Sequence, residues 1–354
     1  MLTSRIIRDL ESLRCLAPEW NRLWKRCGNL TSFQRPEWVI PWVEAFEPMR
    51  LWVVEVRRDD ELVGLAPMFS YSRKNEQVLA PLGAGITDYL DWLVIPELAI
   101  AAVAQILSCL HESIEAWDYL DLPDLPAASS LVTHADAFGF ALSVHEACPA
   151  LQLSKGDSSP AATFSDRQRK NLRTAHNRTR RAGTAQIEVA DAKRLPEFVD
   201  ALLRLHGSRW HECGMPGVLW DEAVQKFHER AVPELFEAGM LRFYGLRFQG
   251  ELIAVLYVLW DSDVAYFYLQ GFDPAHAFIS PGAQVIAAAV EDAVRHRRQV
   301  IDFLRGREAY KYSWGASDVF TWRVQIARKD IVRHLSNMPE EAAWNFSKAQ
   351  EEAA

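Results

Sequence analysis

The chain has 354 residues, 49% of them hydrophobic, and a formal net charge of −8 at pH 7. A chain of this length usually forms more than one hydrophobic core, so two domains are expected. The acidic balance argues against a protein that acts mainly on DNA or on an anionic membrane. Five scattered cysteines form neither a disulfide framework nor a metal pattern and favour a reducing cytoplasm. The N-terminus lacks the apolar core of a secretory signal, and no apolar run reaches the roughly 20 residues that span a bilayer.

Hydrophobic periodicity and turn residues predict an α+β arrangement in the first half of the chain. Two helices come first, followed by a hairpin, a glycine-bearing segment, a helix opened by Pro96 and a short strand. The predicted bounds are residues 12–27 and 36–46 for the helices, 51–57 and 61–69 for the hairpin strands, 79–93 for the glycine-bearing segment and 117–122 for the last strand. This order is typical of a sheet flanked by helices.

The second half repeats this order, which indicates an internal duplication. The hairpin sequence Asp-Asp-Glu-Leu-Val-Gly at 59–64 is matched by Gln-Gly-Glu-Leu-Ile-Ala at 249–254. The predicted helices are residues 166–181, 195–210 and 281 to about 298, and the predicted strands are residues 241–248, 251–259, 264–271 and 300–304. The predicted domains are residues 1–154 and 155–335, with a linker at 155–160 and a C-terminal tail at 336–354.

The segment Ser280-Pro281-Gly282-Ala283-Gln284 is predicted to open a helix after an aromatic strand. Ser280 suits the N-cap and Pro281 the first helical position, while Gly282 and Ala283 leave the first turn nearly bare. The free amides and the positive dipole end of such a helix attract phosphate groups, so all five residues are candidates for binding a pyrophosphate. The alternative is an ordinary capped helix without a ligand.

Gly271, late in the preceding strand, predicts a β-bulge or a close backbone approach. A strand that splays there would present the amides of Leu269, Gln270 and Gly271 to a thioester arm and its carbonyl oxygen. The first repeat has Ile95-Pro96-Glu97 in place of the phosphate loop, with a carboxylate where a phosphate would sit. We therefore expect only the second domain to bind the cofactor.

Residues 302–316 read Asp-Phe-Leu-Arg-Gly-Arg-Glu-Ala-Tyr-Lys-Tyr-Ser-Trp-Gly-Ala. The aromatic strand, the Ser-Pro-Gly-Ala helix start and this segment together resemble the CelD/BcsL-type acetyltransferases, although the phosphate loop has one glycine where two small positions are usual. That family belongs to the GNAT superfamily, is associated with cellulose and exopolysaccharide biosynthesis and is distantly related to the Fem aminoacyl transferases. The resemblance implies two tandem GNAT-like domains, each a mixed, mainly antiparallel sheet flanked by helices. It also implies transfer from acetyl-CoA or another acyl-CoA to an amine or hydroxyl.

Direct acyl transfer needs a base for the acceptor, hydrogen-bond donors for the developing oxyanion and an acid for the departing thiolate. The candidate bases are Asp302 and Glu308, and the candidate acids are Tyr310 and Tyr312. The alternatives are a structural role for Asp302 and simple packing for the tyrosines. The resemblance places Lys311 near the reacting groups, so we expect Lys311→Met to reduce turnover with little change in melting temperature.

The helix predicted at 166–181 carries a cationic stripe. At 100° per residue, four cations share one side and three other residues form a narrow opposite face: Arg167, Lys170, Arg178 and Arg181 against Leu172, Ala175 and Thr179. The stripe is either a solvated face or a clamp for the cofactor's outer phosphate or for a phosphate-linked sugar acceptor. Arg305 is a further substrate-binding candidate.

His206, His211 and Cys213 do not form a metal-binding pattern, so no metal is expected. The leading hypothesis is an acyl-CoA-dependent N- or O-acyltransferase that acts on a small-molecule or glycan-precursor acceptor, such as a sugar or cell-envelope intermediate, in association with a polysaccharide-synthesis system. One alternative is Fem-like transfer from aminoacyl-tRNA, which the basic helix favours and the acidic net charge opposes. Another is a non-catalytic subunit of a polysaccharide assembly that keeps the fold.

Overall fold

The computed structural model describes residues 1–113, 116–153, 164–212 and 218–337, with the backbone alone for 207–212 and 218. The predicted linker at 155–160 and nearly all of the predicted tail at 336–354 lie outside these residues. The helices are α1 (Leu10–Cys27), α2 (Pro36–Phe46), α3 (Ala99–Glu112), α4 (Ser130–Thr133), α5 (Ala135–Phe138), α6 (Asp166–Ala182), α7 (Leu195–Glu212), α8 (Glu222–Glu237), α9 (Pro281–Arg295), α10 (Ala309–Ser313) and α11 (Ile331–Ser336). The strands are β1 (Leu2–Ile7), β2 (Arg50–Leu51), β3 (Val53–Arg58), β4 (Glu61–Ala66), β5 (Met68–Arg73), β6 (Glu76–Pro81), β7 (Leu93–Val94), β8 (Tyr119–Leu125), β9 (Leu142–Gln152), β10 (Ala185–Val189), β11 (Leu241–Phe248), β12 (Glu251–Trp260), β13 (Val264–Phe272), β14 (Val300–Asp302) and β15 (Ser317–Ala327).

The chain groups into two compact units, one formed by Met1–Glu146 with the residues from Phe320 onward, and the other by Ala147–Val319. The chain leaves the first unit within β9 and returns to it within β15. The predicted domain limits at 154 and 335 differ from these bounds. Sequence patterns mark where elements begin and end, and they do not show that one strand contributes to two units.

The first unit contains an antiparallel sheet in the order β1-β3-β4-β7 and a second series of paired strands, β15-β8-β6-β5-β2, in which β6 and β8 are parallel. The prediction of one strand at 61–69 is wrong, because β4 ends at Ala66 and β5 begins at Met68 in a different series. Pro67 separates the two strands because it has no N–H to donate to a ladder.

The second unit contains strands in the order β10-β11-β12-β13-β14-β9, and only β13 and β14 are parallel. Side chains alternate between the two faces of such a sheet. On one face the buried side of α9, including Val285 and Val290, packs against Leu256 and Val258 of β12. Helix α7 contacts β12 and β13, and helix α8 contacts β11. The predicted α+β arrangement, mainly antiparallel and flanked by helices, is confirmed.

The same bulged hairpin occurs in both units. In β3–β4 the pairing shifts after Val56, and in β11–β12 it shifts after Leu246, at the matching position. Both turns place two consecutive residues at positive φ, at 59–60 and 249–250. The matched sequences therefore correspond to matched structures, which supports the predicted duplication.

An arginine joins each hairpin to a helix of the same unit. Arg57 donates to the carbonyl of Asp60 and pairs with Glu19 of α1 at 2.9 Å. Arg247 donates to the carbonyl of Gly250 and pairs with Glu197 of α7 at 2.6 Å. The two hairpins thus have equivalent contacts as well as an equivalent register.

His228 of α8 is buried between aromatic rings of the second unit. Both of its ring nitrogens, and the hydroxyl of Tyr257 beside it, have no hydrogen-bond partner among the described residues. Burial, with a smaller contribution from the charge of His206, lowers the pKa of His228 to about 3. An unpartnered buried polar group costs stability, so His228 weakens the folded state.

We predict that acid destabilises the protein through His228. Its pKa in the folded state lies below the ordinary value of about 6.5, so the unfolded state binds the proton first as the pH falls. This residue alone then removes about 2 kcal/mol of unfolding free energy between pH 7 and pH 5. Thermal unfolding of His228→Leu across this range is expected to show a weaker pH dependence and a higher melting temperature at pH 5. The matched control is His176→Leu on the exposed side of α6; an equal effect in both variants would contradict the assignment.

Candidate active site

The parallel pairing of β13 with β14 is short. It joins Val264–Tyr266 to Val300–Asp302 and then ends, while β13 continues to Phe272. The predicted strand at 300–304 stops early because Leu304 has a left-handed backbone with φ of 60°. Beyond this point β14 no longer pairs with the edge of β13.

Strand β13 bulges at Tyr268, where its register against β12 shifts. Beyond the bulge, Gln270 and Gly271 face opposite sides of the sheet. A Cβ atom on Gly271 would lie 2.7 Å from the backbone nitrogen of His206 in α7, so only glycine allows this packing. Of the two features predicted at Gly271, the close approach is present, with the backbone of α7, whereas the bulge lies at Tyr268 instead.

Helix α9 begins at Pro281, directly after the 3-10 helix Pro274–Ile279. Ser280 occupies the N-cap position as predicted, but its side chain does not cap the helix. A capping side chain needs an extended backbone, whereas Ser280 is left-handed with φ of 52°, and its amide donates to the carbonyl of Ala277 at 2.9 Å. The first amides of α9 therefore have neither a serine cap nor an intrahelical acceptor.

Gly282 lies in the first turn of α9, and a Cβ atom there would be 2.4 Å from Nε2 of Gln270. The side-chain amide of Gln270 thus rests on the helix start. Gln284, in the same turn, is buried and points elsewhere: its Nε2 donates to Thr179 Oγ1 at 3.0 Å and to the carbonyl of Ile279 at 2.8 Å. Its side chain fastens α9 to α6 and does not reach a ligand site.

A cavity of about 580 Å³ lies between α6, the end of β13, the start of α9 and α10. Eight residues predicted for the site line it: Lys170, Arg178, Gln270, Ser280, Pro281, Gly282, Ala283 and Tyr310. Ten others do not: Arg167, Arg181, Leu269, Gly271, Gln284, Asp302, Arg305, Glu308, Lys311 and Tyr312. Among the described residues that line the cavity there are two cations and no carboxylate, so its charge favours an anionic ligand.

Helix α6 supplies one wall of the cavity. Ser165 and Gln168 form a reciprocal capping box at its start. Ala175 and Thr179 are buried, and Leu172 packs against the core of the unit. The narrow face predicted for α6, formed by Leu172, Ala175 and Thr179, is therefore the face that packs α6 against the rest of the unit.

The middle of the predicted cationic stripe lines the cavity. Lys170 and Arg178 line it, and the outer two cations of the stripe lie beyond it at either end of the helix. Asn171 and Thr174 also line it and were not predicted. At 100° per residue they share the side of the two cations, so the same periodicity could have found them.

The environment of Lys311 differs from the one expected, which was a position near the reacting groups. Its side chain is 3% exposed, and its ammonium donates to the carbonyls of Leu304, Arg305 and Gly306 at 3.0, 2.7 and 3.1 Å. Glu308 Oε2 lies 3.0 Å away as an ion-pair partner. The donors of this ammonium are therefore occupied in holding the turn after β14.

Three other predicted catalytic residues are also occupied by partners within the protein. The carboxylate of Asp302 is buried and accepts from the amide of Leu304 at 2.7 Å, which is the structural alternative considered above. Glu308 pairs with the lysine just described. Tyr312 donates to Asp318 at 2.6 Å, and this hydrogen bond raises the pKa of Tyr312. Tyr310 is the predicted catalytic side chain that reaches the cavity.

Within the described ranges, no group of three or more His, Cys, Asp or Glu side chains is placed to hold a metal ion. The side chains of His211 and Cys213 lie outside those ranges. No helix in the part of the chain that the structure describes is long and apolar enough to cross a membrane.

We predict that Lys311→Met lowers stability as well as turnover. The substitution leaves carbonyls in a buried turn without their charged donor, at a cost of about 2–3 kcal/mol of unfolding free energy. Thermal unfolding is expected to show a melting temperature several degrees lower, whereas Lys193→Met, an exposed control, changes it little. A variant with wild-type melting temperature but impaired turnover would return Lys311 to the direct catalytic role expected from the sequence.

Residues 166–312 match the family described as the acetyltransferase (GNAT) domain. This range includes α6, the bulged strand β13, the start of α9 and most of α10. No curated protein matches the chain in sequence.

Solved structures share the fold over nearly the whole chain. FemX has a TM-score of 0.64 at 13% identity, covering 91% of this chain and 96% of FemX. A conserved protein of unknown function from Bacteroides thetaiotaomicron VPI-5482 has a TM-score of 0.57 at 13% identity, with 92% and 99% covered. L-PGS from Bacillus licheniformis has a TM-score of 0.53 at 9% identity, with 90% and 94% covered. The predicted tandem GNAT-like fold is confirmed, and residues 166–312 are similar to the acetyltransferase (GNAT) domain family.

Proposed function

We propose that the protein is an acyltransferase that uses acetyl-CoA or another acyl-CoA. The observation that carries this proposal is the bare start of α9, which opens into a cavity lined by cations and, among the described residues, by no carboxylate. CoA carries a pyrophosphate and a phosphate monoester, so its charge matches this cavity. The GNAT domain around the cavity supports the same reaction class.

The start of α9 is the proposed pyrophosphate site. Its first amides carry the positive end of the helix dipole. Gly282 has no side chain to block an approaching phosphate, and the amide of Gln270 adds an N–H donor beside it. Arg178 is close by, because its Nη1 donates to the carbonyl of Phe278 in the preceding 3-10 helix at 3.2 Å.

Bound acyl-CoA would supply an activated acyl thioester. We place its arm along the edge of β13 that β14 leaves unpaired, and those amides among Leu269, Gln270 and Gly271 that face this edge are the proposed donors to the thioester carbonyl oxygen. Tyr310 lines the cavity, and we propose it as the acid for the departing thiolate. The acceptor attacks directly, without a covalent enzyme intermediate.

The proposed acceptor is the amine or hydroxyl of a sugar or cell-envelope intermediate, in association with a polysaccharide-synthesis system in the cytoplasm. The support is the resemblance of residues 302–316 to the CelD/BcsL-type acetyltransferases. We further propose that the first unit does not bind the coenzyme. At the place of the phosphate loop it has the 3-10 helix Pro96–Leu98, with Glu97 exposed and no side-chain cap before α3. A carboxylate there disfavours phosphate.

A ligand-induced thermal shift tests this function, because a ligand that binds the native state raises the melting temperature. The full chain is measured with acetyl-CoA, longer acyl-CoAs, free CoA and nucleotide sugars, and aminoacyl-tRNA binding is measured by gel shift. Acetyl-CoA and CoA are expected to raise the melting temperature, and release of free thiol with candidate sugars then reports transfer. Binding of aminoacyl-tRNA without any coenzyme shift would favour Fem-like transfer instead. Binding of no donor would favour a non-catalytic subunit.

We predict that Gly282→Glu abolishes the coenzyme-induced shift. The new carboxylate would lie at the helix start, where it takes the place of the pyrophosphate and repels it. Gly282→Ala adds only a methyl group, which meets the movable end of Gln270, and is expected to retain a reduced shift. The melting temperatures of both variants without ligand check that the fold is intact. A wild-type shift in Gly282→Glu would show that the coenzyme binds elsewhere.

A further inference from the structure

The outer side of α6 carries cations that do not face the cavity. Helix α6 holds seven of the 39 Lys and Arg residues of the chain but only one of the 47 Asp and Glu residues. Arg173, Arg180 and Arg181 are exposed and do not line the cavity, and we call these three residues the outer ridge. We infer that the outer ridge docks the protein on the headgroups of an anionic lipid bilayer. This inference does not depend on the proposed acyl-CoA chemistry.

The packing of α6 directs the outer ridge into solvent. At 100° per residue, the three arginines lie on the side of the helix opposite the buried Ala175 and Thr179. Eight residues separate the first arginine of the ridge from the last, which is about 12 Å along the helix axis. Gln284 of α9 donates to Thr179 at 3.0 Å and so opposes rotation of the helix. The cations of the ridge are therefore held toward a partner outside the chain.

The charge of the outer ridge is not neutralised by the residues that the structure describes. None of its three guanidinium groups has a hydrogen bond or an ion pair with them. The single acidic residue of α6, Asp166, pairs with Arg169. Arginines elsewhere, such as Arg57 and Arg247, do have carboxylate partners. Because like charges at this spacing repel one another, an anionic partner would stabilise this surface.

The form of the ridge favours a lipid surface over RNA. Helix α6 has no Phe, Tyr or Trp on which a base could stack. Its unpaired guanidinium groups are not held in one geometry, which suits lipid headgroups because lipids move laterally toward the charges they meet. A tRNA would extend over much of the acidic remainder of the chain, whereas a bilayer that contacts one helix is screened from charges more than about 8 Å away at physiological salt.

A large apolar side chain lies next to the same helix. Phe278, in the 3-10 helix before α9, is 51% exposed, and its carbonyl accepts from Arg178 Nη1 at 3.2 Å. Cations combined with an exposed aromatic ring are typical of surfaces that bind the headgroup region of a bilayer, where the ring enters the boundary with the acyl chains. Each cation near such a surface raises the affinity about fivefold. Phe278 therefore adds a second, apolar attachment to the electrostatic one.

Cosedimentation of the full chain with lipid vesicles tests this inference. Vesicles of phosphatidylglycerol and phosphatidylcholine in equal parts are compared with vesicles of phosphatidylcholine alone. The wild-type protein is expected to bind only the anionic vesicles and to dissociate at about 1 M salt, where screening acts within about 3 Å. The triple variant Arg173→Gln/Arg180→Gln/Arg181→Gln is expected to bind them about a hundredfold more weakly, because it lacks three charges worth about fivefold each. Phe278→Ser is expected to weaken binding severalfold while binding remains sensitive to salt.

The matched control removes the same charge from other parts of the surface. Lys193, Arg297 and Lys329 are exposed, and their side chains have no ion pair with the described residues. The variant Lys193→Gln/Arg297→Gln/Lys329→Gln is expected to bind anionic vesicles as the wild type does, and melting temperatures check that both triple variants are folded.

Three results would overturn the inference. Equal losses in the two triple variants would show that net charge, and not the ridge, determines binding. Equal binding of the wild-type protein to both kinds of vesicle would exclude charge as the attraction. If the wild-type protein bound neither kind, the ridge would not dock on a bilayer, and a gel shift with tRNA in the same protein would then give it an RNA partner instead.

Discussion

The buried ammonium of Lys311 draws three consecutive carbonyls toward one point after β14. Carbonyls of an extended strand alternate in direction, so a chain that satisfies this ammonium cannot continue as a strand. Leu304 and Gly306 adopt positive φ as the chain curls. The ladder with β13 therefore ends at Asp302, and the edge of β13 beyond Tyr266 is not paired with β14. Burial of the ammonium is costly, and the three carbonyls with Glu308 offset that cost.

The cavity next to this turn differs in charge from the rest of the protein. The chain carries a net charge of −8, and arginines such as Arg57, Arg194 and Arg247 are paired with carboxylates in the structure. The cavity-facing cations of α6 have no such carboxylate partners among the described residues. An anion that enters this region meets two cations that no carboxylate among the described lining residues neutralises.

The elements that short-range sequence patterns define, such as periodicity and turn residues, were predictable. Helix α2 and strand β11 have the predicted bounds, and the narrow buried face of α6 follows from its periodicity. The matched hairpins were also found from sequence, because a turn and its flanking residues are short-range features.

The remaining site features depend on tertiary packing. Ser280 occupies the predicted cap position, yet the preceding 3-10 helix forces it into a backbone conformation from which it cannot cap. Lys311 was expected near the reacting groups, but its ammonium is buried and donates to carbonyls of its own loop. Gly271 was expected to let a ligand approach the strand, but the backbone of α7 packs against it instead. In each case the deciding partner is a backbone group, and residue patterns say little about where backbone groups meet.

The hairpin shared by the two units has an evolutionary consequence. Both copies keep the bulge and the arginine that joins the hairpin to a helix of the same unit, whereas the glycine-bearing helix start occurs in the second copy alone at the matched positions. Selection for a folded chain acts on every copy of a duplicated gene segment, but selection for chemistry acts only on a copy that reacts. Under the proposed function only the second copy binds the coenzyme, so the first copy is free to diverge while it remains a stable scaffold, and recognition surfaces can evolve on it without affecting the copy that reacts.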